Sequence, residues 1–312
     1  MNQASPTTVS DLCVSKEALF AKLGYEPHQG QARVHASTAP RRVVACGARW
    51  GKSLAASMEV VAALLEPRQE SRGWIVAPTL DLSQRIFRHV EHVLRDRLKH
   101  RILAIETREH RIVVRNLGGG ASEVKAKSAD NPTSLLGEAL DWLVVDEAAR
   151  LRDDIWPGFL SQRLLDREGW ALLISTPNGT NGFYALFDRG RGGEDASFES
   201  FTGPTTENPH VSAALIEAER ERLSRDEFAQ EYGAKFLGAG ILPCARCGGP
   251  SREWLSTYVV REPEDEPVTC ETCGRLARPD GRTLVGLQPD GRLLVSCTRL
   301  EPRPKVPSPE AA

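Results

Sequence analysis

The sequence predicts an α/β fold: a mainly parallel β-sheet flanked by helices, followed by a small β module. An apolar run, residues 42–45, leads through a glycine-containing turn into a helical pattern. A second apolar run, residues 142–145, ends in the acid pair Asp146 and Glu147. Strands that alternate with helical patterns indicate a parallel sheet, because parallel neighbours need a crossover connection. Two cysteine pairs near the C-terminus predict the β module.

The turn after the first strand has the residues that a nucleoside triphosphate site needs. In a P-loop, backbone N–H groups and the start of a helix cradle the phosphates, a lysine reaches the β- and γ-phosphates, and a hydroxyl ligates Mg²⁺. We assign the last two roles to Lys52 and Ser53, with ATP and Mg²⁺ as ligands. The pattern usually begins with glycine, whereas this chain has Cys46 there. The predicted phosphate-binding residues are Gly47, Ala48, Arg49, Trp50, Gly51, Lys52 and Ser53.

The acid pair supplies the second half of this chemistry. In P-loop enzymes the first acid, here Asp146, holds Mg²⁺, and the adjacent Glu147 orients and activates the attacking water. Taken singly, the motif also fits a buried strand with two acids that open the next turn. Each motif supplies the structural context that the other one needs, and together they favour a P-loop NTP hydrolase.

Two further sets of polar residues lie beside predicted strands. The apolar run from Trp170 ends in Ser175 and Thr176, which we expect to sense the γ-phosphate. The alternative is an ordinary strand-to-turn junction. Gln31 precedes the first strand, where its amide suits the donor and acceptor edge of adenine, and a solvated turn is the alternative for this segment.

Length and composition limit the class of protein. A chain of 312 residues with 40% apolar content is long enough for about two domains and a sizeable core. No apolar run approaches the roughly 20 residues that cross a bilayer, and residues 1–5 begin no leader, so we expect a cytosolic protein without a membrane partner. The net charge of −2 gives no global electrostatic case for nucleic acid.

A helix predicted after Thr79 has an apolar face and a basic one. The apolar face contains Leu82, Ile86, Val90, Val93 and Leu94. The opposite face has arginine, histidine and lysine side chains, diluted by Glu91 and Asp96, and either DNA contact or simple solvation fits it. Residues 111–115 and 122–127 then predict a β-hairpin with a flexible, glycine-rich tip.

The C-terminal cysteines have the spacing of a metal site. Two C-x-x-C pairs predict a zinc-ribbon-like module with a structural Zn²⁺, because a core this small rarely holds itself together. The alternatives are coincidental pairs or redox-active thiols. The expected zinc ligands are Cys244, Cys247, Cys270 and Cys273. The expected domains are a polar segment at 1–24, the ATPase domain at 25–240, the module at 241–300 and a disordered tail at 301–312.

The motifs, in this order, resemble the ATPase domain of the large terminase subunit, the motor that packages DNA into tailed-phage heads. The resemblance covers about residues 25–240. It rests on Gln31 and on the segments 47–53, 75–79, 136–149, 175–179 and 228–232. The family implies ATP hydrolysis coupled to translocation of double-stranded viral DNA into a prohead, with a portal protein and a small terminase subunit as partners. It also implies a homo-oligomeric ring and a phage-encoded protein in the cytoplasm of a bacterial host.

The chain departs from the family pattern at three places. Family members often have arginine at the position of Ala48, which leaves Arg49 or an arginine of a neighbouring subunit to stabilise transition-state charge. Leu136 replaces the arginine that often precedes the glycine of the middle motif. A large terminase continues into a nuclease domain, whereas residues 241–312 carry the paired cysteines, so we expect no nuclease activity from this chain.

Two other functions fit part of the sequence. A helicase-like or DNA-repair ATPase would show the same first two motifs, but it would need a second motor lobe. A non-catalytic nucleotide-binding adaptor, with a zinc ribbon that recruits partners, is the third hypothesis. Glu147 argues against an adaptor, since binding alone does not require a carboxylate that activates water.

Overall fold

An eight-stranded β-sheet is the centre of the protein in this computed structural model, which describes residues 15–193 and 195–237 and the backbone of five short strands further along. The strands are β1 (Arg41–Cys46), β2 (Glu70–Ala77), β3 (Ile102–Glu106), β4 (Arg111–Arg115), β5 (Ala121–Ser128), β6 (Trp142–Val145), β7 (Trp170–Ser175) and β8 (Phe198–Gly203). The helices are α1 (Lys16–Leu23), α2 (Gln29–Ala36), α3 (Lys52–Leu65), α4 (Leu80–Arg97), α5 (Gly182–Arg191), α6 (Ala213–Arg222) and α7 (Arg225–Glu231).

The strand order is β3-β4-β5-β2-β6-β7-β1-β8. The strands from β5 to β8 in this order are all parallel to their neighbours, and β4 and β3 add an antiparallel edge. The predicted mainly parallel α/β sheet is therefore confirmed. Parallel strands end at the same edge, so the loops after β1, β6, β7 and β8 come together there.

The central strands are buried on both faces, which explains their continuous apolar runs. The α3 and α4 helices pack together over the sheet, and Ile86, Val90 and Leu94 of α4 are fully buried, as the helical spacing predicts. Gly73 of β2 lies against the indole of Trp142, where a Cβ atom would come within 2.1 Å of the ring. Only glycine therefore allows this contact between β2 and β6.

The predicted β-hairpin is present as β4 and β5, but its tip is held in place rather than flexible. Asn116 is 1% exposed, and its side-chain oxygen accepts hydrogen bonds from the backbone N–H groups of Gly118 and Gly120. Its amide nitrogen donates to the carbonyl oxygen of Arg68 at 2.7 Å and to the hydroxyl of Ser122. A buried asparagine thus ties the glycine-rich tip to the neighbouring loop.

Residues 224–227 have the sequence of a capping box, which predicts a helix through Phe236. Helix α7 begins at this capping box but ends at Glu231. The hydroxyl of Ser224 accepts from the N–H of Glu227, as expected. A longer helix would need the carbonyl oxygens of Glu231 and Tyr232 for its next turn. They accept instead from the backbone N–H groups of Ala48 and Thr205. Contacts with distant loops therefore end the helix.

The segment before the ATPase motifs contains a helix that the sequence analysis did not predict. The hydroxyl of Ser15 caps α1, and Phe20 of this helix is 2% exposed in an edge-to-face cluster with Tyr25 and His35. With only eight residues, the helix is too short to show a clear period in the sequence.

The chain divides into two compact units, Met1–Lys235 and Phe236–Ala312. The backbone of the second unit contains the strands β9 (Val268–Thr269), β10 (Leu276–Pro279), β11 (Gly286–Leu287), β12 (Leu293–Leu294) and β13 (Leu300–Pro302). The predicted zinc ligands, Cys244, Cys247, Cys270 and Cys273, lie outside the described residues, and the zinc site and the domain limits stay predictions. Within the described residues, every helix is too short or too polar to span a membrane.

Candidate active site

The loop after β1 surrounds the ammonium group of Lys52. The Nζ atom of Lys52 donates to the carbonyl oxygens of Cys46 and Gly47, both at 2.8 Å, and to Oγ1 of Thr176 at 3.1 Å. Burial lowers the pKa of Lys52, and nearby groups including the carboxylates of Glu147 and Asp146 oppose this shift. Within the described part of the chain, no carboxylate forms an ion pair with Lys52, so its positive charge is available to an anion.

Backbone contacts hold the first half of the loop to the end of the domain. The N–H of Gly47 donates to Gly203, and the N–H of Ala48 donates to Glu231 at 2.6 Å. The hydroxyl of Thr205 donates to the carbonyl oxygen of Ala48 at 2.6 Å. A Cβ atom on Gly47 would lie 2.5 Å from the carbonyl oxygen of Tyr232, which explains the glycine. The two amides thus donate to protein acceptors in this structure, and the expected contact of Gly47 and Ala48 with a phosphate stays a prediction.

The side chain of Trp50 packs beneath the loop, and contact of Trp50 with a phosphate stays a prediction. Its side chain is 1% exposed, and its indole N–H donates to Oε2 of Glu207 at 2.9 Å. The carbonyl oxygen of Trp50 accepts from Nε2 of His28 at 2.9 Å. The thiol of Cys46 is also buried, and burial raises its pKa to about 12. The buried side chains of Trp50 and Cys46 are thus part of the packing beneath the loop.

The second half of the loop and the start of α3 have the features of an anion site. Gly51 has a φ of 102° and precedes α3 without a side-chain cap, so the first N–H groups of the helix have no side chain to accept from them. Arg49 has a φ of 59°, and the side chain of Asn208 holds its carbonyl oxygen at 2.7 Å. In the residues that the structure describes, the guanidinium of Arg49 has no hydrogen-bond or ion-pair partner. These features fit a bound phosphate.

Gln31 lies beside this loop, in α2 rather than in a solvated turn. It is 3% exposed, its amide nitrogen donates to the carbonyl oxygen of Gly51 at 3.0 Å, and its amide oxygen accepts from the N–H of His28. A Cβ atom on Gly51 would lie 2.6 Å from this amide. Gln31 therefore holds the turn before α3, and its contact with a base stays a prediction.

Ser53 and Asp146 face each other across the site. The hydroxyl of Ser53 is 3.5 Å from Oδ2 of Asp146, and Oδ1 of Asp146 accepts from the N–H of Glu147 at 3.0 Å. Burial, followed by the charge of Glu147, raises the pKa of Asp146 to about 6. A buried carboxylate is costly without a cation beside it, and the nearby hydroxyl is a second oxygen of the kind that Mg²⁺ accepts together with waters and phosphate oxygens. The donor set therefore fits Mg²⁺.

Glu147 occupies a backbone conformation that is unusual for a non-glycine residue, with φ 50° and ψ 41°. The backbone N–H of Arg150 donates to its carbonyl oxygen at 2.9 Å, which closes a tight turn. The side chain of Glu147 is 28% exposed, and its Oε2 is 3.5 Å from Nε of Arg150. The left-handed conformation is stored strain of the kind that occurs at functional sites.

The end of β7 completes the site. Thr176 contacts Lys52, while the hydroxyl of Ser175, which is fully buried, has no hydrogen-bond partner in the described residues. An unpaired buried hydroxyl is unfavourable unless a water or a ligand satisfies it. The structure thus brings the predicted Lys52, Ser53, Asp146, Glu147, Ser175 and Thr176 to one edge of the sheet.

One buried charge network behind the site was missed by the sequence analysis. Glu59 of α3 accepts from Nη1 of Arg42 at 2.7 Å, from Nδ1 of His35 at 2.6 Å and from Nζ of Lys16 at 3.1 Å. Burial alone would raise the pKa of Glu59, but Arg42, the His35 hydrogen bond and Lys16 lower it to about 2. The sequence feature that could have predicted this network is a glutamate within an otherwise apolar helix, since a buried acid needs partners.

Three arginines of the predicted basic face of α4 have partners on the same helix. Arg88 donates to Gln84, Arg95 forms an ion pair with Glu91, and Arg97 forms one with Asp96. These contacts are exposed and local, as on a solvated helix surface. Solvation and contact with DNA both remain compatible with this face.

A parallel sheet with such a loop at its carboxyl edge defines a P-loop NTPase. Comparisons with known proteins narrow this class. A family model for the N-terminal region of the terminase large subunit, T4-like-virus type, matches residues 44–241. The chain therefore belongs to the terminase large subunit family, within its N-terminal ATPase domain.

Individual relatives agree with this membership. The chain is 38% identical over 247 residues to the terminase large subunit of Thermus phage G20c, covering 71% of this chain and 51% of that protein. It is 35% identical to the large terminase ATPase domain of Thermus phage P74-26, with a TM-score of 0.65, covering 72% of this chain and all of that domain. The chain spans about half the length of the curated relatives that it matches.

A more distant structure shares the fold alone. A large terminase from a thermophilic bacteriophage, solved in complex with ADP, is 12% identical, with a TM-score of 0.57, covering 67% of this chain and 53% of that one. The ADP belongs to that protein. The comparison therefore supports the α/β fold described above.

Proposed function

We propose that this chain hydrolyses ATP and couples the reaction to movement of double-stranded viral DNA, as the motor part of a large terminase. The observation that carries the proposal is the convergence of Lys52, Ser53, Asp146 and Thr176 at one edge of the sheet. These residues come from three separate parts of the chain: Lys52 and Ser53 follow β1, Asp146 follows β6, and Thr176 follows β7. The family membership and the printed names of the relatives support the same function.

The residues of the second half of the loop would bind the phosphates. Lys52 offers a half-buried positive charge, and Arg49, three residues earlier in the loop, offers an exposed guanidinium that has no partner among the described residues. The uncapped N–H groups at the start of α3 add donors, and the helix dipole favours an anion there. ATP with three phosphates matches this extended set of donors better than a smaller anion does.

Mg²⁺ would be held by Ser53 and Asp146. Bound there, the metal ion supplies charge neutralisation at the phosphates. Glu147 follows Asp146 directly, and we propose that its carboxylate takes a proton from the attacking water. Ser175 and Thr176, at the end of β7, would report the occupancy of the site to the loop that follows them.

The coupling to DNA and the partners rest on the family. Packaging would require double-stranded DNA, a portal protein, a small terminase subunit and a ring of identical subunits. We propose a cis role for Arg49 in place of the arginine that family members have at Ala48. Nuclease activity is not proposed for this chain.

Nucleotide binding and turnover of the full chain test the chemistry. We expect Glu147→Gln to bind ATP in the presence of Mg²⁺ with an affinity near that of the wild type but to hydrolyse it at least about 100-fold more slowly. Lys52→Ala should lose affinity itself, while Lys99→Ala, an exposed lysine far along the chain from the loop, serves as the control.

Two results would contradict the proposal. Undiminished hydrolysis in Glu147→Gln would remove the proposed base. Wild-type protein that binds ATP but shows no turnover, with or without DNA, would support the non-catalytic adaptor instead.

A further inference from the structure

The turn that follows the acid pair is held by two contacts that the nucleotide motifs do not include. The first is the ion pair between Arg150 and Glu147, with Nε of Arg150 3.5 Å from Oε2 of the carboxylate. The second is a hydrogen bond from Nδ2 of Asn181 to the carbonyl oxygen of Ala149 at 2.7 Å. Both contacts fix the residues next to Glu147 and neither one contacts the phosphate-binding loop.

We propose that Arg150 is a positioning residue that holds the Glu147 carboxylate in the orientation from which it activates water, with Asn181 holding the turn beneath it. This inference rests on the proposed hydrolytic function, because it assigns Glu147 the role of base. It adds two residues that lie outside the nucleotide-binding motifs.

The geometry of the turn carries the inference. Residues 147–150 form one tight turn, so the side chains of Glu147 and Arg150 leave it on the same side. Glu147 is in the left-handed region, where a non-glycine residue is strained unless its surroundings hold it. The Ala149 carbonyl is one anchor of this turn, because Asn178 also approaches it, at 3.5 Å.

The charges around Glu147 support a positioning role over a stabilising one. Its carboxylate contacts the guanidinium of the exposed Arg150 and interacts electrostatically with Lys52. The side chain of Arg150 is 61% exposed, and an exposed ion pair contributes little to the stability of a fold. A small energy is nevertheless enough to select one rotamer of a partly exposed glutamate.

Both ends of the Asn181 side-chain amide are hydrogen-bonded to the backbone. Its side-chain oxygen accepts from the backbone N–H groups of Phe183 and Tyr184 and so caps α5, while its amide nitrogen is left for Ala149 and for the carbonyl oxygen of Asn178. Asn181 lies in the loop after β7. Its hydrogen bond to Ala149 therefore links the turn at residues 147–150 to the segment that follows Ser175 and Thr176.

Steady-state hydrolysis by the full chain tests the inference. We expect Arg150→Ala to lower kcat about 10-fold, with KM for ATP changed less than about twofold and Tm unchanged within about 1 °C, because misplacing a catalytic group affects the chemical step. Arg150→Lys should restore part of kcat. Arg152→Ala is the matched control, since Arg152 is equally exposed and pairs with Asp154 instead.

A double-mutant cycle separates positioning from a general effect of charge. Aspartate in place of Glu147 keeps a base but is too short to maintain the same contact with Arg150, so Arg150→Ala should have almost no further effect in the Glu147→Asp background. Asn181→Asp keeps the α5 cap and removes the donor to Ala149, and we expect it to lower kcat as well.

The outcomes are distinct. If the wild type hydrolyses ATP and Arg150→Ala behaves as Arg152→Ala does, the inference is wrong and the proposed function stands. A loss of the same size in both the wild-type and the Glu147→Asp backgrounds, or a loss that follows a lower Tm, also overturns it. If the wild type itself has no hydrolytic activity, the proposed function fails, and the inference fails with it.

Discussion

Lys52 illustrates how much of this site depends on a single side chain. Its three donors are directed at the carbonyl oxygens of Cys46 and Gly47 and at the hydroxyl of Thr176, so the protein holds the ammonium in place before any ligand is considered. The residue type and its place after a strand were predictable from the sequence. The contact with Thr176 was not, because it joins residues 124 positions apart in the chain.

Removing the Thr176 hydroxyl should affect turnover more than binding. In Thr176→Val one of the acceptors of Lys52 is lost while the side-chain volume is kept, so we expect ATP affinity to change less than about threefold and kcat to fall about 10-fold. Thr176→Ser keeps the hydroxyl and is the control. Steady-state kinetics and ATP titration measure both values, and equal kcat in Thr176→Val and the wild type would contradict the assignment.

We expect the side chain of Trp50 to stabilise the fold through packing. Trp50→Ala removes a fully buried side chain, and we expect the free energy of unfolding to fall by about 3–5 kcal/mol. Trp50→Phe keeps most of the buried area and loses the hydrogen bond to Glu207, at a cost of about 1–2 kcal/mol. Urea denaturation followed by circular dichroism measures both, and a smaller loss for alanine than for phenylalanine would contradict a packing role.

At the scale of secondary-structure elements, strands and their ends were predictable, whereas the contacts that tie elements together were not. Apolar runs located β1, β6 and β7, and turn chemistry located the β4–β5 hairpin. The extent of α7 was predicted wrongly because the loops after β1 and β8 take the carbonyl oxygens that a longer helix would use. No local pattern records a partner that lies so far away in the chain.

The network around Glu59 joins α1, α2, β1 and α3, and it gives a pH-dependent prediction. The folded pKa of Glu59, about 2, lies below its ordinary value of 4.5, so its contribution to stability is complete above about 4.5 and is lost as the pH falls towards 2. Glu59→Gln leaves Arg42 without its buried partner, at a cost of roughly 3–5 kcal/mol at neutral pH.

Denaturant titrations of wild type and Glu59→Gln from pH 7 to pH 2.5 measure this effect. The difference in free energy of unfolding should be largest at pH 7 and should shrink below pH 4.5, as protonation removes the same charge from the wild type. Glu66→Gln, at the exposed end of the same helix region, is the control. A difference that is constant with pH would show that the charge of Glu59 does not stabilise the fold.

At the scale of the whole molecule, the sequence predicts a structural metal site in the C-terminal module. We expect one Zn²⁺ per chain, held by Cys244, Cys247, Cys270 and Cys273, and lost in the double variant Cys270→Ser/Cys273→Ser. Elemental analysis of the purified chain measures it, and Cys13→Ser is the control. A wild-type chain without zinc, purified without chelator, would contradict the zinc-ribbon prediction.

The ATPase unit and the family membership make hydrolysis coupled to DNA the main expectation for the whole chain. The decisive measurement is the rate of Mg²⁺-dependent ATP hydrolysis by the full chain, with and without linear double-stranded DNA, in the wild type, Lys52→Ala and Glu147→Ala. We predict turnover that rises with DNA and is lost in both variants. Turnover that DNA leaves unchanged, or that persists in either variant, would contradict a DNA-coupled motor built on these residues.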